Sequence, residues 1–217
     1  MKLFIDSGNI KDIETLAAIG IIDGVTTNPT LLAKEPGDFR ENLKKICQIV
    51  KGPVSGEVTA VDVAGMLQQG HDIAKIDEHM IVKVPLTRDG IKACKALSGE
   101  GIRVNVTLCF SAAQALLAAK AGATFISPFV GRLDDVGTNG MDLIREIVEI
   151  YNNYDFATEI LVASCRHPIH VIEAARLGAD IATCPPAVID QMFNHPLTSI
   201  GLEKFLKDWE KSQAVKA

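Results

Sequence analysis

The sequence predicts an α/β chain folded as a single (β/α)8 barrel with an additional C-terminal helix. Three observations carry this. Eight short β-branched runs alternate with longer Ala-, Leu- and Lys-rich stretches at helical spacing across the 217 residues. No long polar linker interrupts the alternation, so the strands should run parallel, each followed by a helix. Polar residues also end nearly every run: Asp6, Asn28, Glu57, Lys83, Thr107, Ser127 and Ser164. In a barrel these ends converge on one mouth. An open doubly wound sheet, the main rival, would draw only on the few strand ends beside its switch point. The length is near the lower bound of about 200 residues for such barrels, so residues 1–217 are read as one domain.

In chain order, strands are expected at Leu3–Asp6, Gly24–Thr27, Val54–Val58, Met80–Val84, Ile102–Thr107, Thr124–Ser127, Ile160–Ser164 and Asp180–Thr183. Helical spacing falls between consecutive strands, for example at Ala64–Ile76, Ile91–Leu97, Ala112–Ala121, Asp142–Tyr151 and Ile169–Leu177. The first strand stops at Asp6, where Asp6-Ser7-Gly8-Asn9 also reads as a helix start. In Ile102–Thr107 one face is Ile/Val/Val and the other Arg/Asn/Thr. The apolar face should meet the helices, which turns Asn105 and Thr107 into the barrel. By the same alternation Lys83, between Val82 and Val84, points inward, Phe4 shares a face with Asp6, and Ser55 shares one with Glu57. Beyond Pro196 a ninth helical pattern spans about 198–214, with Leu202, Phe205, Leu206 and Trp209 in one stripe. That stripe either closes the barrel's own base or docks on a neighbouring subunit.

Composition narrows the function. Twenty-two Lys and Arg against 27 Asp and Glu give a net charge of −5, which argues against nucleic acid held by bulk charge. No apolar run approaches the ~18 residues of a membrane span, and the first residues contain no signal-peptide core. The five cysteines form no C-x-x-C pair and read as buried free thiols in a reducing cytoplasm. There is no G-x-G-x-x-G or Walker-type loop. His167 and His170 are spaced i, i+3 without a third ligand nearby, and Asp134-Asp135 reads as a solvated turn, so no metal site is expected.

Lys83 is the most informative residue. Burial in a barrel strand disfavours the ammonium and frees an amine nucleophile for carbonyls; snorkelling or a carboxylate partner is the plainer alternative. Asp6 and Glu57 on inner strand faces could divide the proton transfers that imine formation and aldol cleavage require. Arg132 and Arg166 follow the sixth and seventh strands. Two guanidinium groups on adjacent loops suit a phosphate, although either alone could be a surface salt bridge.

Together Asp6, Thr26-Thr27-Asn28-Pro29-Thr30, Glu57, Val82-Lys83-Val84-Pro85, Asn105–Ser111, Ser127–Arg132 and Ala163–Arg166 resemble transaldolases. The chain is most similar to the short microbial subfamily that includes the fructose-6-phosphate aldolases. The resemblance runs from residue 1 to about residue 210. It implies sugar-phosphate substrates and a class I aldol reaction with no metal or organic cofactor, in which Lys83 forms an imine with a ketose carbonyl. It implies that Asp6 moves the C4 hydroxyl proton, and that Glu57 and Thr107 hold the water of the carbinolamine steps. Asn28 and Asn105 would bind hydroxyls of the three-carbon fragment, and Arg132, Ser164 and Arg166 the phosphate, with Ser127 close by. Transaldolases of the family carry Phe and Glu where its aldolases carry Tyr and Gln. Phe129 and Glu57 therefore favour transfer over simple aldol cleavage. The subfamily also implies a homo-oligomer, a pentamer or decamer, with the C-terminal helix reaching a neighbour. A silent sugar-phosphate-binding barrel is the alternative outside enzyme chemistry, but such a binder has no need of the lysine.

Overall fold

A computed structural model describes residues 1–214. The elements in order are β1 (Lys2–Asp6), α1 (Ile10–Ala17), β2 (Gly24–Thr26), α2 (Pro29–Leu32), α3 (Phe39–Val50), β3 (Val54–Glu57) and α4 (Val63–Ala74). They continue through β4 (Met80–Pro85), α5 (Arg88–Gly99), β5 (Val104–Cys109), α6 (Ala112–Ala121), β6 (Phe125–Pro128) and α7 (Val130–Asp134). The last described elements are α8 (Gly140–Asn153), β7 (Glu159–Val162), α9 (Pro168–Leu177), β8 (Ile181–Cys184), α10 (Pro186–Phe193) and α11 (Pro196–Ala214). All eight strands pair parallel in sequence order, and β1 closes on β8.

Two apolar layers hold the barrel. The larger lies between strands and helices and includes Ile5, Val25, Val82, Val84, Val104 and Val106 from the outward strand faces. The smaller fills the barrel's interior with Phe4, Ile81, Phe125, Leu161 and Ile181. Phe4 and Phe125 meet edge to face there, 6.1 Å between ring centres. Gly24 makes room for this, since a Cβ on it would lie 2.6 Å from the Phe4 ring. Strand alternation does the rest. Two residues beyond Phe4, Gly24, Ile81, Phe125 and Ile181 stand Asp6, Thr26, Lys83, Ser127 and Thr183. The apolar interior is therefore a floor, and the polar ring lies directly above it.

Several expectations need adjustment. Asn9, not Asp6, caps α1, accepting from Asp12 N, so Asp6 has no capping role. The fifth strand begins at Val104 rather than Ile102 and runs on to Cys109, through a register shift and a left-handed Leu108 (φ 61°). The seventh strand ends at Val162, and Ser164 lies beyond it at φ 60°. Finally, α11 has no buried residue, and Leu202, Phe205, Leu206 and Trp209 are all exposed. It does not close the base of its own barrel. All five cysteines are buried free thiols, as expected, and burial pushes those of Cys94 and Cys109 up to about 11. Among the described residues no helix is long and apolar enough to cross a membrane.

Candidate active site

The polar ring encloses two adjoining cavities of about 200 and 440 Å3, and Asp6, Asn28, Lys83, Phe129 and Arg132 line both. Lys83 is 4% exposed. Its Nζ donates to Thr27 O at 3.0 Å and lies 3.0 Å from Glu57 Oε2. Glu57 and Lys83 are direct partners in the β3–β4 register, so strand pairing itself sets this contact. Of the two readings the sequence left open, burial of a lone amine and pairing with a carboxylate, the structure shows a buried lysine that has a carboxylate partner.

Asp6 accepts from Thr26 Oγ1 at 2.7 Å. Burial pushes the Asp6 carboxyl above its usual value of 3.8, and the Thr26 hydrogen bond and the charge of Lys83 oppose that rise. Asp6 therefore holds a proton more readily than an ordinary aspartate, which suits a group that must take one and give it back. Asn105, opposite Lys83 in the β4–β5 register, donates to Ser55 Oγ at 3.1 Å and accepts from Ser127 Oγ at 2.8 Å. Both of its polar atoms are thus fixed within the barrel. Thr107 Oγ1 is buried without a partner among the described residues and belongs to the larger cavity's wall. An orphaned hydroxyl lining the same cavity as Glu57 has the chemistry to hold a water.

On the opposite side, Arg132 and Arg166 line the smaller cavity together with Ser164. Arg132 sits in the short helix α7 rather than a loop, its guanidinium 4.9 Å from the centre of the Phe129 ring. Arg166 lies across Gly131, where a Cβ would come within 2.6 Å of its Nε, and bonds Asp135 Oδ2 at 2.7 Å. The Asp134-Asp135 pair is therefore no mere solvated turn. Asp134 caps Gly140 N at 2.8 Å and meets His170 Nε2 at 2.9 Å. These contacts tie the β6 and β7 ends together, aided by Val130 N to Ala163 O and Gly131 N to Ser164 O. His167 and His170 stack, with ring centres 3.9 Å apart, and among the described residues no cluster of three His, Cys, Asp or Glu could hold a metal.

With the site assembled, similarity to known proteins becomes informative. A family model for transaldolase/fructose-6-phosphate aldolase matches residues 3–216. A protein of Caldicellulosiruptor saccharolyticus named "Probable transaldolase" is 61% identical, covering 97% of this chain and 98% of that protein. Others so named, from Kosmotoga olearia and Methanococcus maripaludis, are 56% and 58% identical over 97% of this chain. The chain belongs to the transaldolase/fructose-6-phosphate aldolase family.

The structure brings all but one of the residues singled out in the sequence to the walls of these two cavities. Lys83, Asp6, Asn28, Ser127, Phe129, Arg132, Ser164 and Arg166 line the smaller cavity, while Glu57 and Thr107 enter through the larger. Asn105, the register partner of Lys83, is buried between Ser55 and Ser127 and lines neither cavity. Asn28 also caps α2, its Oδ1 accepting from Leu31 N at 3.0 Å. The sequence gives Thr183 no role, carries Thr26 only within a motif, and marks Asp135 and His170 as a solvated turn and an incomplete metal pair. Thr26 and Thr183 were within reach of the strand-end rule; the other two act only through contacts between distant loops. A larger hollow of about 530 Å3 lies beside the mouth between α2, α3 and α4. It shares Glu57 and Pro29 with the mouth but lacks the lysine, Asp6 and the two arginines.

Proposed function

We propose that this chain is a transaldolase. It moves a dihydroxyacetone unit from sedoheptulose 7-phosphate to glyceraldehyde 3-phosphate, giving erythrose 4-phosphate and fructose 6-phosphate, as in the non-oxidative pentose phosphate pathway. The observation that carries this reading is Lys83, buried at the mouth with one carboxylate at its nitrogen and a second, Asp6, lining the same cavity. Arg132 and Arg166 with Ser164 take the phosphate. Glu57 accepts the ammonium proton, and the free amine attacks the C2 carbonyl. Glu57 then returns a proton, through water held with Thr107, so that the carbinolamine loses water and an imine forms.

The protonated imine is an electron sink. Asp6 takes the C4 hydroxyl proton, the C3–C4 bond breaks, and its electron pair moves to the imine to leave an enamine on Lys83. The aldose leaves. When the acceptor aldehyde arrives, the enamine carbon attacks it, Asp6 delivers its proton to the new alkoxide, and water releases the ketose. A closed floor and fixed polar groups keep stray water from the enamine. Phe129 carries no hydroxyl that could protonate the enamine and release free dihydroxyacetone. We also infer a homo-oligomer in which α11 docks on a second copy.

Borohydride in the presence of fructose 6-phosphate is expected to fix a three-carbon adduct on Lys83, located by peptide mass spectrometry. No adduct, or one on another lysine, overturns the mechanism. Turnover that needs the aldose acceptor supports transfer. Brisk dihydroxyacetone release without acceptor makes the chain a fructose-6-phosphate aldolase instead.

A further inference from the structure

Asp6 does not stand alone at its strand end. Thr26, its register partner on β2, places Oγ1 2.7 Å from Asp6 Oδ1. The same hydroxyl lies 2.7 Å from Thr183 Oγ1 on β8. Since β2 and β8 flank β1, the two hydroxyls meet across the inner face of β1. Both threonines are 2% exposed, and Thr183 also borders the smaller cavity.

Counting protons gives this chain a direction. An ionised carboxylate has no hydrogen to offer, so Thr26 must donate to Oδ1. A threonine hydroxyl has one hydrogen, and that of Thr26 is then committed. The short contact between the threonines therefore has Thr183 as donor and Thr26 as acceptor. Each bond polarises the next, so the donor at Thr183 strengthens the bond from Thr26 to the carboxylate.

We propose that Thr26 and Thr183 are positioning residues for Asp6, forming a one-way hydroxyl chain that fixes Oδ1 and leaves Oδ2 to meet the substrate hydroxyl. This rests on the reading of Asp6 as the proton acceptor in the aldol step. The chain stabilises the ionised form that begins the step, against the burial that favours the neutral one. The other charged or titratable groups facing Asp6 are Lys83, Glu57, Arg132 and Arg166 around the cavities and the Cys165 thiol near β7. Exchanging a threonine for valine leaves all of them in place.

The test is the acid limb of the kcat/KM–pH profile for ketose cleavage, measured in parallel with thermal unfolding to verify folding. Thr26→Val is expected to move that limb up by about one pH unit, as loss of a hydrogen bond to a charged group should. Thr183→Val should move it in the same direction by about 0.3 unit, and Thr183→Ser, which keeps the hydroxyl, should restore it. A limb unmoved in Thr26→Val overturns the proposal, as does one moved in Thr26→Val but not in Thr183→Val. Asp6→Asn separates the two layers: if it cleaves ketose at the wild-type rate, the reading of Asp6 fails. If it is inactive while both valine variants keep the wild-type profile, only the hydroxyl chain fails.

Discussion

Lys83 Nζ stands 3.0 Å from Glu57 Oε2, the side chains being 6% and 15% exposed. Removing one member of so buried a pair leaves the other uncompensated, which costs about 3 kcal/mol or more. Lys83→Met is therefore expected to abolish both adduct and turnover and to lower stability by about that amount. Lys83→Met combined with Glu57→Gln should regain most of the stability and none of the activity. Urea unfolding reads the difference. Equal losses in the single and double variants would mean that the pair is not what Lys83→Met disturbs.

Arg166 is held by Asp135 at 2.7 Å, and both side chains are more than half exposed. Such a surface pair contributes at most about 1 kcal/mol, so a phosphate with two oxygens to offer should displace Asp135. Asp135 is then a rival anion. Asp135→Asn should lower KM for the phosphorylated ketose by up to about fivefold, leave kcat near wild type and strengthen inhibition by inorganic phosphate. An unphosphorylated ketose should show no change. A KM that rises would make Asp135 a support for the guanidinium instead.

Much of this site could be read from the chain, because strand alternation is a two-state rule. Once Val82 and Val84 face helices, Lys83 must face inward, and the same logic places Asp6, Asn105 and Thr107. Thr183 obeys it too, two residues past Ile181, and ends the eighth expected strand as Thr107 ends the fifth. What alternation cannot supply is contact between loops far apart in sequence. The ties from Asp135 to Arg166 and from Asp134 to His170 span 31 and 36 residues and depend on the short helix α7. The positive φ of Ser164 is equally silent, since serine has no particular preference for it. The apolar stripe of α11 establishes amphipathicity without saying which barrel it serves.

Asp6 should also cost stability. Its folded-state pKa is raised above 3.8, so between those two values the folded chain holds more protons than the unfolded one. Stability then falls as pH rises through that window, and the deficit persists at neutral pH. Asp6→Asn is expected to raise Tm at pH 7, by about 2–4 °C for each kcal/mol relieved, while aldol cleavage is lost. The gain should vanish below 3.8, where both states of the wild type are protonated. A Tm that drops at neutral pH would show that the Thr26 hydrogen bond and the charge of Lys83 outweigh burial.

The unpartnered helix offers the last test. Leu202, Phe205, Leu206 and Trp209 are 59, 72, 55 and 64% exposed on a 19-residue helix with no buried residue. Apolar side chains in one contiguous stripe are costly in water and mark an association surface. None of them belongs to either barrel core, so removing residues 197–217 should leave the barrel folded. If α11 docks on a second copy, that truncation lowers the mass found by light scattering and leaves the circular dichroism melt of the remaining chain cooperative. Trp209 is the chain's single tryptophan and gives an independent reading. Its emission should be blue-shifted in the intact protein and move to the red on dilution, as the assembly dissociates. A truncated chain of unchanged assembly mass, or a Trp209 emission already that of an exposed indole at high concentration, would remove α11 from the interface.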